Sequence, residues 1–186
     1  MTVWVFGYGS LVSPASIGVT VQREVTPGDG YEAATLDGYG RRWNYGSLRQ
    51  RADWDGEHGP VQGGIVVSIG IVEAAGEWAN GAIIEVSDDE LAHLDRRESD
   101  YDRVDVSRSI RDNDGRTIVT YVPRPSAIAR YERHRDEHTA AVRAGYVELV
   151  EEAFEALGGS HLADYRATTP TPDVPVVEFE SVWLDD

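Results

Sequence analysis

Apolar residues along this chain fall mostly into short bursts of strand length up to about residue 125, and then recur at helical spacing. The first burst, Val3, Trp4, Val5 and Phe6, is too short for a helix and rich in β-branched and aromatic side chains, so it predicts a buried strand. It breaks at once into Gly7, Tyr8, Gly9 and Ser10, a tight loop, and Ser13 before Pro14 supplies a helix cap and first helical position. Residues 26–30 read as a turn. Residues 31–45 read as a strand with a bend or bulge near Gly38 and Gly40, and 48–59 as a polar surface excursion. Residues 64–72 and 81–86 read as two further strands. Ser87 with Glu90 forms a capping box, Asp88 and Asp89 suit the positive end of a helix dipole, and Leu91 with Leu94 makes an apolar stripe. A helix over 88–97 follows, with Glu98 at its C-terminal end. Residues 103–106 alternate as in a strand, and Asn113, Asp114 and Gly115 turn the chain into a partner over 117–122, closed by Pro123 and Pro125. Residues 126–157 read as helical, with Tyr146, Leu149, Val150, Ala153, Phe154 and Leu157 on one face, ending at Gly158 and Gly159. Prolines 170, 172 and 175 precede a last possible strand over 174–183. The sum is an α+β fold, a mixed, barrel-like β-sheet flanked by helices, in a single domain over 1–186.

Composition narrows the function classes. A chain of 186 residues buries a substantial core without staples, and the lack of cysteine fits a cytoplasmic protein while removing thiol nucleophiles and cysteine metal sites. No run of about 18 apolar residues and no basic-then-apolar leader is present, so the expectation is a soluble, unexported chain. Acidic residues outnumber basic ones 33 to 17, giving −16, which argues against nucleic acid or an anionic membrane as partner. All 17 basic residues are arginine, a bias that fits a high-salt cytoplasm or a GC-rich genome. Nothing in the pattern sets an oligomeric state.

Three places invite chemistry. Gly7 and Gly9 leave the backbone N–H groups from Tyr8 to Leu11 uncovered, as an anion-cradling loop requires, although a plain turn at a strand end has the same composition. The loop lacks the third glycine of a dinucleotide fingerprint, the GK[ST] of a P-loop and a G-x-S-x-G elbow. His134, Glu137 and His138 spell H-x-x-E-H, an inverted zincin signature. Five residues in a segment dense in Arg, Glu and His also match by chance, so a solvated charged helix is the favoured reading and no metal is assigned. His58 and His93 read as surface residues, His161 as helix-end structure. Glu98, beside Arg96 and Arg97, is either a surface ion pair or a working acid.

Taken together, FGYGSL near the N-terminus, GYGRRW at 38–43 and LDRRESDYDRV at 94–104 resemble the gamma-glutamylcyclotransferase superfamily, most closely its ChaC-like branch. The matching positions are Tyr8, Gly9, Ser10 and Leu11; Arg41, Arg42 and Trp43; then Leu94, Asp95, Arg97, Glu98 and Tyr101, with Tyr146 to Tyr165 similar to a later substrate-side helix. Ser99 and Asp100 stand where Lys and Gly are usual, and 131–138 matches nothing in the family. The resemblance implies a cofactor-independent enzyme in which the α-amino group of a gamma-glutamyl peptide or amine attacks its own γ-carbonyl, giving 5-oxoproline and a free amine. Orienting the two tethered groups supplies up to roughly 7–11 kcal/mol of the barrier. Glu98 would act as general acid and base, with Arg96 and Arg97 pointing away from the site. Phe6, Gly7, Tyr8, Gly9, Ser10 and Leu11 would bind substrate, Tyr146 would line the pocket, and Tyr101 and Tyr121 would serve as wall or core. The competing readings are a non-catalytic amino-acid or peptide binding module of the same fold and, remotely, a zinc hydrolase through His134, Glu137 and His138.

Overall fold

Val3–Gly7 form strand β1, as their apolar run predicts, in the computed structural model, which describes residues 2–184. A 3₁₀ turn, Ser10–Val12, leads to helix α1 (Pro14–Val21), whose Ser13 side chain accepts from the Ser16 N–H at 3.3 Å. Then comes one long hairpin, β2 (Tyr31–Gly56) and β3 (Gly59–Val86), closed by Glu57 and His58 with Gly59 at φ 112°. The strands expected over 64–72 and 81–86 are thus parts of one strand. Residues 48–59, expected as a surface excursion, are instead the far end of the hairpin, where Trp54 pairs with Val61 and stacks on Phe179 at 5.6 Å. Polar residues there fill the outward face while Ala52 and Trp54 are buried. Strands this long must bend to stay on one core. They do so at register shifts after Asp37, Arg42, Gly46 and Ala52.

Helix α2 (Asp88–Arg97) carries the predicted capping box in full, with Ser87 N–H on Glu90 Oε2 at 2.7 Å. Its Leu94 is fully buried, an anchor of about 1.5–3 kcal/mol that fixes where the helix ends. β4 (Tyr101–Asp105) and β5 (Ile118–Pro123) pair antiparallel, and the Asn113 amide closes the turn between them by donating to the Ser107 and Arg116 carbonyls.

The single helical stretch expected over 126–157 is in fact three elements: α3 (Pro125–Asp136), β6 (Ala140–Arg143) and α4 (Ala144–Ala156). His138 at φ 58° ends the first helix, and Ala140, Ala141 and Val142, small and wholly apolar, slot beside β3 as a parallel strand. Tertiary burial overrides their helical spacing. α5 (His161–Thr168) follows. The last strand divides into β7 (Val176–Val177), parallel to β6, and β8 (Ser181–Trp183), antiparallel to β2.

The resulting sheet runs β4-β5-β1-β3-β2-β8, with β6 and β7 branching from β3. It is mixed, since β1 pairs parallel with β5 and antiparallel with β3, and it curls without closing among the described residues. The α+β class holds. Phe6, Ile17, Leu36, Ile83, Ile118 and Phe154 are among the fully buried side chains of its core, and no helix of the described residues is long and apolar enough to cross a membrane.

Candidate active site

Glu98 is the C-cap of α2: its N–H closes the helix on the Leu94 carbonyl at 2.8 Å, and its own carbonyl accepts from Tyr101 N–H at 2.9 Å. The side chain is thereby turned off the helix end toward the loop after β1, and it is only 14% exposed. Burial raises its carboxyl above the ordinary value of 4.5, and the neighbouring Arg97 partly counteracts that rise.

Arg97 links the two halves of the site. Its Nε lies 3.0 Å from Glu98 Oε1, Nη2 donates to Ser10 Oγ at 3.3 Å, and Nη1 donates to Thr20 Oγ1 of α1 at 2.7 Å. The expectation that both arginines point away from the site fails for both, since Arg97 pairs with Glu98 and Arg96 lines the same cleft. A guanidinium at the end of α2 reaches both the acid beside it and the cap region of α1, so it pairs rather than extending into water. Arg96 also borders the cleft.

That cleft has a volume of about 450 Å³ and brings together Tyr8, Gly9, Ser10 and Leu11 of the loop, Arg96 to Tyr101 around the glutamate, Tyr121, and Tyr146 with Leu149 of α4. The loop and Glu98, some ninety residues apart in the chain, line this one cleft. Of the residues expected to bind substrate, Phe6 and Gly7 do not line it. Phe6 is core, and Gly7 lies where a Cβ would strike Leu11 Cβ at 2.8 Å, so the glycine permits the loop to fold back on itself.

The walls are phenolic. Tyr8 donates to the Tyr121 carbonyl at 2.6 Å, and Tyr121 donates to Asp95 Oδ1 at 2.8 Å. Tyr101 stacks on Tyr45 with centroids 4.5 Å apart. Burial pushes the Tyr45 and Tyr146 phenols up to about 12 and raises those of Tyr8 and Tyr101 well above the ordinary 10, so all four are neutral at pH 7. The Tyr146 hydroxyl oxygen lies against the backbone N–H groups of Ile69 and Ser10. A Cβ on Gly9 would come within 3.1 Å of that hydroxyl, so this glycine makes room for a tyrosine rather than serving only the turn.

Two residues of the site escaped the sequence reading. Tyr45 lines the cleft just past the β2–β3 register shift between Arg42 and Tyr45, where Gly70 of β3 makes room for the bulged Asn44, since a Cβ there would strike Asn44 Oδ1. Arg41 matched the family strand but gave no sign of its position, which is wholly buried beneath the loop. Its Nε donates to the Tyr8 carbonyl at 2.8 Å, Nη1 donates to Thr168 Oγ1 at 3.0 Å, and Nη2 donates to the Asn80 carbonyl. Its guanidinium stacks over the Phe154 and Tyr165 rings at 5.0 and 5.1 Å. No carboxylate among the described residues pairs with it, and desolvation lowers its pKa to about 10.

Elsewhere, a more open groove of about 600 Å³ at the start of α2 is bounded by Arg23, Glu85 and Glu90. Arg23 donates to Glu90 Oε1 and to the Glu85 carbonyl across it, so its charges are spent on one another. The H-x-x-E-H segment does not form a ligand set. α3 ends at Asp136, His134 Nδ1 faces Thr139 Oγ1 at 2.7 Å, and His138 packs on the His58 ring. The two histidines therefore do not share a helix face, and no group of three or more His, Asp or Glu among the described residues is placed to hold a metal.

By overall shape, the chain is similar to a gamma-glutamyl cyclotransferase of known structure, with a TM-score of 0.54 and 14% identity over 92% of this chain and 90% of that one. An uncharacterised human protein gives a TM-score of 0.53 at 14% identity, over 91% of this chain and 89% of its own. A yeast gamma-glutamyl cyclotransferase specific to glutathione gives 0.48 at 11% identity, over 90% and 97%. Among curated proteins no sequence match is found. Residues 5–142, which span the loop, the buried Arg41 and Glu98, match the family model for gamma-glutamyl cyclotransferases of the AIG2-like kind, and the chain belongs to that family.

Proposed function

We propose that the cleft converts a gamma-glutamyl compound to 5-oxoproline and a free amine by intramolecular aminolysis, with Glu98 as general base and then general acid. The observation that carries this reading is the shared cleft: a shielded carboxyl with a raised pKa and the loop from Tyr8 to Leu11 line it together. The substrate's ammonium would sit at Glu98, which takes one proton. The freed amine attacks the γ-carbonyl and a C–N bond closes the five-membered ring; Glu98 returns its proton to the amide nitrogen, the original amide C–N bond breaks, and the ring nitrogen's surplus proton passes through the emptied Glu98 to the departing amine, which leaves as ammonium. The loop from Tyr8 to Leu11, with Ser10 Oγ, would hold the α-carboxylate. The Ser10 and Ile69 N–H groups now against Tyr146 are the donors best placed to receive a substrate oxygen when that hydroxyl yields. Tyr8, Tyr101 and Tyr45 supply neutral walls that keep water off the ring-closing geometry. Arg41 holds the loop from below by its grip on the Tyr8 carbonyl. The narrower placement beside ChaC-like relatives rests on the segment around Glu98 and belongs to the same proposal.

The test is an assay for 5-oxoproline over a panel of gamma-glutamyl peptides and amines. Glu98→Gln keeps the shape and removes the proton carrier, so its turnover is expected to fall by about 10²–10⁴ while binding persists.

A further inference from the structure

The charges facing the cleft do not cancel. Arg96, Arg97 and Arg143 border it beside two carboxylates, Glu98 and Asp100. Both carboxylates are already engaged, Glu98 by Arg97 and Asp100 by Arg130. Of the chain's 17 arginines, only Arg96, Arg108 and Arg143 have side chains that make no hydrogen bond or ion pair with a described residue, and two of these three line the cleft. Arg96 is exposed on the last turn of α2, where water and the helix end answer its charge, whereas Arg143 is half-buried in the cleft wall, so an anion that enters the cleft meets one solvated guanidinium and one that has no protein partner. Arg143 ends β6, held by pairing with Val177 of β7, and Arg96 stands on the last turn of α2, so both are carried on regular elements.

We infer that Arg143 and Arg96 form a carboxylate subsite for the amine part of the substrate. The preferred compounds are then gamma-glutamyl amino acids or peptides that keep a free carboxylate, rather than gamma-glutamyl amines. This rests on the cyclotransferase reading of the same cleft and deepens it. A guanidinium presents a planar fork of donors that matches a carboxylate, and two of them around one cleft distinguish an anion from its neutral isostere.

Gamma-glutamylglycine and gamma-glutamylglycinamide differ only in that carboxylate, so the ratio of their kcat/KM values reads the subsite directly. The ratio is expected to favour the acid by about tenfold or more, and to fall by a similar factor in Arg143→Gln and in Arg96→Gln, chiefly through KM. It should also shrink as salt is raised. A merely structural role for either arginine would slow both compounds together and leave the ratio where it was. Equal use of the two compounds, or a ratio unmoved in both variants, overturns the subsite while the cyclotransferase reading stands. Absence of 5-oxoproline from both compounds and from the rest of the gamma-glutamyl panel sinks the parent reading instead. In that event, equilibrium binding of the same pair to Glu98→Gln decides the subsite: a preference for the acid supports it and equal binding removes it.

Discussion

Ionising Glu98 means charging a carboxyl that the fold has taken largely out of water. A carboxyl whose folded pKa lies above its unfolded one, taken as 4.5, favours the folded state most below that pH and loses the advantage as pH rises through the folded value. Two results follow. The difference in Tm between Glu98→Gln and the unchanged protein should grow in favour of the variant from pH 4 to pH 7, as thermal melts at the two pH values would reveal. The acidic limb of kcat/KM should titrate above 4.5, because the base must be ionised to take the ammonium proton. Arg97 opposes the rise, so Arg97→Gln should move that limb to still higher pH; a limb that stays or moves down would show that the pair seen at 3.0 Å does not tune the acid. Arg41 follows a different logic. Lysine keeps the charge but cannot span Tyr8, Asn80 and Thr168 together, so Arg41→Lys should destabilise by about 2 kcal/mol or more in chemical denaturation.

At the scale of elements, the site is a helix end set against a strand-end loop, and each can be disturbed separately. Ser87→Ala removes the cap of α2 and should cost about 1 kcal/mol of stability, measured by urea unfolding. Gly9→Ala leaves the helix alone and crowds the Tyr146 hydroxyl, so it should lower kcat/KM by up to about 10²-fold through displaced geometry, with a stability loss of about 1–3 kcal/mol. The parts of this arrangement that sequence revealed are those written in local chemistry: the capping box from Ser87 to Glu90, the Ser13 and Pro14 start of α1, and Glu98 at the end of α2. What stayed hidden depends on partners distant in the chain. Ala140, Ala141 and Val142 have no strand grammar of their own and become β6 only because β3 and β7 flank them. Tyr45 is aimed by a bulge whose room comes from Gly70 on the partner strand, and Arg41 shows its role only once Tyr8, Asn80 and Thr168 converge on it. Arg97 turns inward for the same reason, drawn by Ser10, Ser16 and Thr20 of a distant segment.

Over the whole molecule, a charge of −16 spreads repulsion that short-range ion pairs such as Arg103–Asp95 and Arg111–Asp37, both at 2.6 Å, offset only locally. Raising salt from about 0.1 M to about 1 M shortens the screening length from roughly 10 Å to roughly 3 Å, which weakens the long-range repulsion more than contacts already made. Tm should therefore rise with salt, and equal stability in dilute buffer and molar salt would remove the high-salt interpretation of the lysine-free composition. At the same scale, one curled sheet holds the β1 loop and the end of α2 against a common cleft, and the proposed reaction stands or falls on that meeting. The most direct measurement is release of 5-oxoproline from gamma-glutamylglycine by the protein and by Glu98→Gln. The account predicts turnover that drops by about 10²–10⁴ in the variant while the compound still binds; undiminished turnover in Glu98→Gln would contradict it.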